Sequence, residues 1–161
     1  MLLGYREMEE LCERIAELLR VDEEWLIRSV RPGAKPIITT DMPYIRIPAA
    51  DGETAQRLDN KIMAAFRELC GEDGRMYCGE WRRSAFDFAP ADPSEQEDGF
   101  IKDDFSWYGG ESFAFPAPCP GSRNVYFISK DMSFGTFGHI YGHEVWIFGR
   151  ELVEKMTERT E

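Results

Sequence analysis

The sequence predicts an α+β fold: a largely antiparallel sheet with N-terminal helices, one central core helix and a C-terminal helix. Three observations carry that expectation. Helical periodicity dominates the first 70 residues, continuous apolar runs and glycine-cornered segments dominate the last 40, and a short amphipathic stretch closes the chain. At 161 residues the chain fits one domain over 1–161, at most with a helical appendage over residues 1–30.

Tyr5 to Arg20 reads as an amphipathic helix, with Met8, Leu11, Ile15, Leu18 and Leu19 at three- and four-residue spacing. Asp22 is placed to cap a short second helix through Trp25, Leu26 and Val30, which Arg31-Pro32-Gly33 would end. IITTDMPYIRIP, residues 37–48, is β-branched and partly alternating, a strand that Pro43 pushes toward a sheet edge or a bulge. From Asp51 an apolar stripe of Ala55, Leu58, Ile62, Ala65, Phe66 and Leu69 marks the core helix, and Gly71 stands where a C-cap glycine belongs.

RMYCGEWRRSAFDFAP reads as strand, Glu95 to Gly99 as an acidic loop, and FIKDDFSWYGGESFAFPAPCPGS as irregular chain. NVYFIS (124–129) and VWIF (145–148) are apolar on both faces and so are expected inside the sheet. Between them Gly135, Gly138 and Gly142 signal a turn, a bulge or a close backbone approach. Arg150 to about Glu158 is the closing helix, packing Leu152, Val153 and Met156.

Thirty acids against nineteen bases give a net charge of −11. Phe86 to Glu111 alone holds eight acids and one base, a net of −7. Nucleic acid and anionic membranes are poor partners for that sign of charge. A basic protein is the partner such a field would steer, although acidity also simply keeps a protein soluble. No apolar run approaches the roughly 18 residues a membrane helix needs. The start, MLLGYREMEE, lacks the basic and apolar regions of a signal peptide, so a soluble, cytoplasmic protein is expected. Cys12, Cys70, Cys78 and Cys119 form no C-x-x-C pair and are expected to be reduced, structural thiols.

FGHIYGHEVWIFG (137–149) carries both histidines, His139 and His143, with Glu144 beside them. On a helix, H-x-x-x-H would bring two imidazoles over one metal, but the glycines argue against a helix here. In an extended strand the two would stand about 13 Å apart at roughly 3.3 Å per residue. Only a sharp turn at Gly142 could bring them together. The expectation is glycine-cornered sheet, with no metal and no cofactor. Asp103 and Asp104 are adjacent and so would face opposite sides of a strand. No G-x-S-x-G elbow, Walker loop or G-x-G-x-x-G is present. Sixteen of the twenty-one aromatics lie from Trp81 onward, among the expected strands, which favours core packing over a sugar-stacking cleft.

Two functional readings follow. The first is a small acidic cytoplasmic binding protein, an immunity- or antitoxin-like inhibitor of a basic partner. Its face would be built from Asp98, Asp103, Asp104, Trp107, Tyr108 and Glu111. The second is a small hydrolase-like enzyme using His139 as general base or acid, with an aspartate such as Asp104 orienting it in a pocket. A self-associating structural subunit is a third possibility, since oligomeric state cannot be read from the chain.

The stretch YFISKDMSFGTFGHIYGHEVWIFGRELVEKM, with Phe134, Gly135, Phe137, Gly138, His139, Phe148, Gly149 and Leu152, resembles the closing segment of the domain-of-unknown-function 2716 family of bacterial proteins. The family pattern runs Pro-Trp after Gly-His, where this chain has Ile140-Tyr141. The resemblance covers the C-terminal third, carries no activity with it, and implies that His139 belongs to the pattern while His143 does not.

Overall fold

The computed structural model describes residues 1–24, 26, 36–49, 51–96, 100–102, 112–121 and 123–158. Among the described residues it is an α+β fold with three α-helices and a six-stranded antiparallel sheet. In chain order these are α1 (Tyr5–Leu19), β1 (Tyr44–Pro48), α2 (Gly52–Cys70), β2 (Met76–Glu80), β3 (Phe86–Phe88), β4 (Phe100–Lys102), β5 (Ser112–Ala114), β6 (Val125–Ser129), β7 (Gly135–His139), β8 (Glu144–Phe148) and α3 (Arg150–Thr157). The main sheet runs β1-β8-β7-β6-β2-β3, and β4 and β5 make a separate two-stranded ladder.

Side chains alternate across the sheet and so fill two cores. On one face Met8, Leu11, Cys12, Ile15 and Leu19 of α1 meet Tyr126, Ile128, Phe137, Trp146 and Phe148. On the other, Ile62 and Phe66 of α2 and Leu152 and Met156 of α3 meet Met76, Cys78, Phe127, Val145 and Ile147. Phe66 stacks on Phe127 at 5.5 Å between ring centroids. Each such fully buried side chain contributes about 1.5–3 kcal/mol, which is why the apolar runs of β6 and β8 lie inside the sheet as expected.

Several local expectations are met and others shift. Gly71 caps α2 with φ 73°, its N–H donating to the Arg67 carbonyl. Among the described residues β1 is an edge strand, paired with β8, as Pro43 implied. The strand starts at Tyr44 rather than Ile37, because the backbone before it is engaged elsewhere. Ile37 accepts from the Asp22 N–H, and Thr39 donates to Leu19, tying this segment to the end of α1. The stretch 75–90 folds as two strands joined by a turn at Trp81–Arg83, where Arg82 takes a left-handed φ of 58°. Glu23, Glu24 and Leu26 lie in a turn; most of the expected second helix lies outside the described residues.

The glycine segment is the sharpest refinement. Gly135 to His139 is a fully buried strand between β6 and β8. A Cβ on Gly135 would stand 2.1 Å from the Phe127 carbonyl oxygen, so the glycine signal here is a close backbone approach. The true turn follows at 140–143, with His143 at φ 50°.

Candidate functional site

Where the sheet ends beside the turn after α1, four chain segments meet around a cleft of about 350 Å³. The β2–β3 turn supplies Trp81 and Arg82. The lead-in to β6 supplies Arg123 and Asn124, the β7–β8 turn Ile140 and Tyr141, and the turn after α1 Glu23 and Leu26.

Arg82 is the densest node. Its Nε and Nη2 donate to the two oxygens of Glu23 at 2.8 and 3.0 Å, and its Nη1 donates to Glu9 at 3.0 Å. Glu13 adds a third carboxylate at 2.9 Å. The indole Nε1 of Trp81 donates to the same Glu23 at 3.0 Å. Hydrogen bonding from Arg82 holds the Glu23 carboxyl below its ordinary range against the opposing pull of burial. The node therefore pins α1 and its following turn to the β2–β3 hairpin.

Asn124 ties two further segments together. Its Oδ1 accepts from the Ile140 N–H at 2.9 Å, and its Nδ2 donates to the Leu26 carbonyl at 3.4 Å. Arg123 is half exposed and pairs through Nε with Glu80 at 3.0 Å. Tyr141 is 44% exposed at the cleft mouth. Arg123 also borders a second, smaller cleft of about 260 Å³ beside Phe115 and Cys119.

His139 lies behind the larger cleft rather than in it. The ring is fully buried, with Nε2 3.3 Å from the Leu26 carbonyl oxygen and Nδ1 without a hydrogen-bond partner among the described residues. Burial lowers its pKa below the ordinary value. His143 is exposed across the turn, and Glu144, paired with His139 in the ladder, is held by Arg46 and by the Trp146 indole. Among the described residues no group of three or more His, Cys, Asp or Glu could hold a metal ion. None of the four cysteines is in a disulfide. Asp98, Asp103, Asp104, Trp107, Tyr108 and Glu111 lie outside the described residues.

Trp81 and Arg82 are not legible as cleft residues in the sequence, because the β2–β3 turn lies inside a stretch of strand character. A signal was present: Arg82-Arg83 is a basic pair in an acid-rich chain, directly after an aromatic residue.

Fold and site together define an α+β protein whose antiparallel sheet is covered by helices on both faces and opens into a polar–aromatic cleft at one end. The chain belongs to the family described as protein of unknown function (DUF2716), which matches residues 28–153. That match extends the C-terminal resemblance over most of the chain, from before β1 to within α3, and leaves α1 outside it. The chain is also 29% identical over 98 residues to the uncharacterized protein YxiI of Bacillus subtilis (strain 168). The match covers 60% of this chain and 52% of YxiI, so the chain spans about half the length of that relative. No solved structure matches.

Proposed function

We propose that the protein is a small acidic binding protein whose partner is a basic protein, in the manner of an immunity- or antitoxin-like inhibitor. The observation that carries this reading is the placement of charge. Residues 5–24 hold eight acids and three bases, and residues 86–111 hold eight acids and one base. The remaining chain is balanced, with fourteen acids and fifteen bases. The first segment is α1 and its turn, where Glu7, Glu10, Glu13, Glu17, Asp22 and Glu24 are all exposed. Concentrated charge of one sign raises the on-rate for an oppositely charged partner, and it repels nucleic acid. No helix among the described residues is long and apolar enough to cross a membrane.

A hydrolase-like role for His139 with Asp104 has less support. The His139 ring has no solvent exposure, and its hydrogen bond goes to a backbone carbonyl.

The test is recovery of the full chain from its own cells at low salt. It is compared with one variant carrying Glu7, Glu10, Glu13 and Glu17 as Gln, and another carrying Asp98, Asp103, Asp104 and Glu111 as amides. A basic protein released by salt from the native chain, and held more weakly with a flatter salt dependence by either variant, is the expected result. A partner bound equally by all three chains would sink the reading.

A further inference from the structure

We propose that the cleft at the end of the sheet is a binding site for a small planar monocarboxylate, with Arg123 as its anion anchor and Trp81 and Tyr141 as its flat walls. This inference stands apart from the basic-partner reading and does not depend on it.

Most of the polar groups in the cleft are already committed to one another. Glu23 accepts from Arg82 through both oxygens and from the Trp81 indole as well. Arg82 is spent on Glu9, Glu13 and Glu23. Asn124 uses its oxygen on Ile140 and its amide nitrogen on Leu26. Two groups remain without a hydrogen-bond partner among the described residues: the terminal nitrogens of Arg123 and the hydroxyl of Tyr141. Both are donors. A cleft whose uncommitted groups donate selects a ligand that accepts.

Geometry narrows the class further. Arg123 is half exposed, and its Nε forms an ion pair with Glu80 at 3.0 Å. That leaves the outer edge of the guanidinium as a fork, and two parallel N–H donors match the two oxygens of a carboxylate. One such fork takes one negative charge. The Glu23 carboxylate in the wall, and the Glu80 carboxylate that already pairs with Arg123 from outside the cleft, disfavour a dianion such as phosphate. The rest of the surface is aromatic or aliphatic, from Trp81, Tyr141, Ile140 and Leu26. The Trp81 ring is fixed by edge contacts to Tyr126 at 6.0 Å and Phe137 at 5.4 Å, so it presents a pre-set wall. A volume of about 350 Å³ lies at the small end of ligand pockets.

The test uses the full chain labelled with ¹⁵N, titrated with benzoate, with its neutral counterpart benzamide, and with inorganic phosphate. The readout is the indole N–H resonance of Trp81, assigned by its loss in Trp81→Phe. Benzoate should move that resonance saturably, and benzamide should bind at least about tenfold more weakly, the loss expected for one charge-assisted bond. Arg123→Met, which keeps the aliphatic stem, should bring benzoate down to the level of benzamide. Tyr141→Ala should weaken both ligands while keeping their order. Equal binding of benzoate and benzamide by the native chain overturns the proposal without recourse to any variant. So does undiminished benzoate binding in a folded Arg123→Met, phosphate binding as tight as benzoate, or the absence of any saturable shift with benzoate.

Discussion

The Nε2 of His139 lies 3.3 Å from the carbonyl oxygen of Leu26, 113 residues earlier in the chain. A carbonyl can only accept, so Nε2 carries a proton, while the buried Nδ1 has no partner among the described residues to receive a second one. Burial disfavours the charged ring and holds its pKa below the ordinary 6.5. Hydrogen bonding to Leu26 and the charge of Glu144 pull the other way, while His143 and Arg46 reinforce the lowering. When the pH falls below about 6.5, the unfolded chain takes up a proton that the folded one refuses, so stability drops as the pH falls. His139→Gln keeps a donor for Leu26 and does not titrate. Thermal melts between neutral and mildly acidic pH should show a shallower loss for the variant than for the native chain; equal slopes would remove His139 as the cause.

The turn beside it should respond in opposite directions at adjacent positions. A Cβ on Gly142 would stand 2.6 Å from the Nδ1 of His139, inside contact distance of a ring that packing holds in place. Gly142→Ala should cost about 1–3 kcal/mol, as overpacking does. His143 already carries a left-handed φ of 50°, a conformation that costs a residue with a Cβ about 1–2 kcal/mol. His143→Gly removes that strain at the expense of unfolded-state entropy, so stability should stay level or rise by up to about 1 kcal/mol. Urea midpoints for the two variants decide it.

Those two positions show how far the sequence could be read. Helical stripes and apolar runs report burial directly, and so α1, α2, α3, β6 and β8 were all legible. Gly135 and Gly138 announced a constraint but not its kind, because a close approach between strands and a turn both demand a missing side chain. The single strand expected over 75–90 fails for a related reason. Arg82 takes a left-handed φ in this turn, and the carboxylates that hold its guanidinium, Glu9, Glu13 and Glu23, are 59 to 73 residues away. Local propensity cannot report a turn that distant charges stabilise. The cleft was hidden for the same reason, since its walls come from four separated segments and none carries a motif by itself.

Arg82 gives a graded prediction. Its side chain is 24% exposed, between a surface pair worth about 0.2–1 kcal/mol and a buried one worth about 3–5 kcal/mol when broken. Arg82→Met should cost about 2 kcal/mol, because three carboxylates lose their common partner. Glu13 is 71% exposed, and Glu13→Gln should fall within about 0.5 kcal/mol of the native chain. Glu23→Gln should lie between the two. Because the Glu23 carboxyl is held below its ordinary 4.5, its share of the stability is present above that pH and lost as the pH falls through the folded value. A double-mutant cycle of Arg82→Met with Glu23→Gln should show clear coupling; additive losses would mean the contact contributes nothing to stability.

Thiol reactivity should follow burial. Desolvation pushes the Cys12 thiol up to about 11 and the fully buried Cys78 well above its ordinary value. Cys70, at the end of α2, is only half buried, although burial raises its pKa too. Alkylation of the native protein at mildly alkaline pH should therefore mark Cys70 ahead of Cys12 and Cys78. Peptide mass spectrometry after a brief iodoacetamide pulse reads the order. Early labelling of Cys12 would mean that α1 detaches from the sheet far more readily than its packing implies.

Gly135 tests the strand that the family pattern marks with Phe-Gly-x-Phe-Gly-His. It sits in β7 between Ile128 of β6 and Phe148 of β8. A Cβ there meets the Phe127 carbonyl oxygen at 2.1 Å and the Phe148 ring at 2.9 Å. The ring could shift, but the carbonyl belongs to the neighbouring strand and can move only with the ladder. Gly135→Ala should therefore cost about 3 kcal/mol or more, at the upper end of overpacking. Gly121 is the matched control, since nothing among the described residues lies within 4 Å of a Cβ placed there and its φ is not left-handed. Gly121→Ala should be neutral, or stabilise by about 0.4–1 kcal/mol through the unfolded state. Denaturant melts of the two variants separate a constraint of close strand approach from a general intolerance of alanine for glycine, and a Gly135→Ala protein as stable as the Gly121→Ala one would show that β7 does not approach β6 this closely.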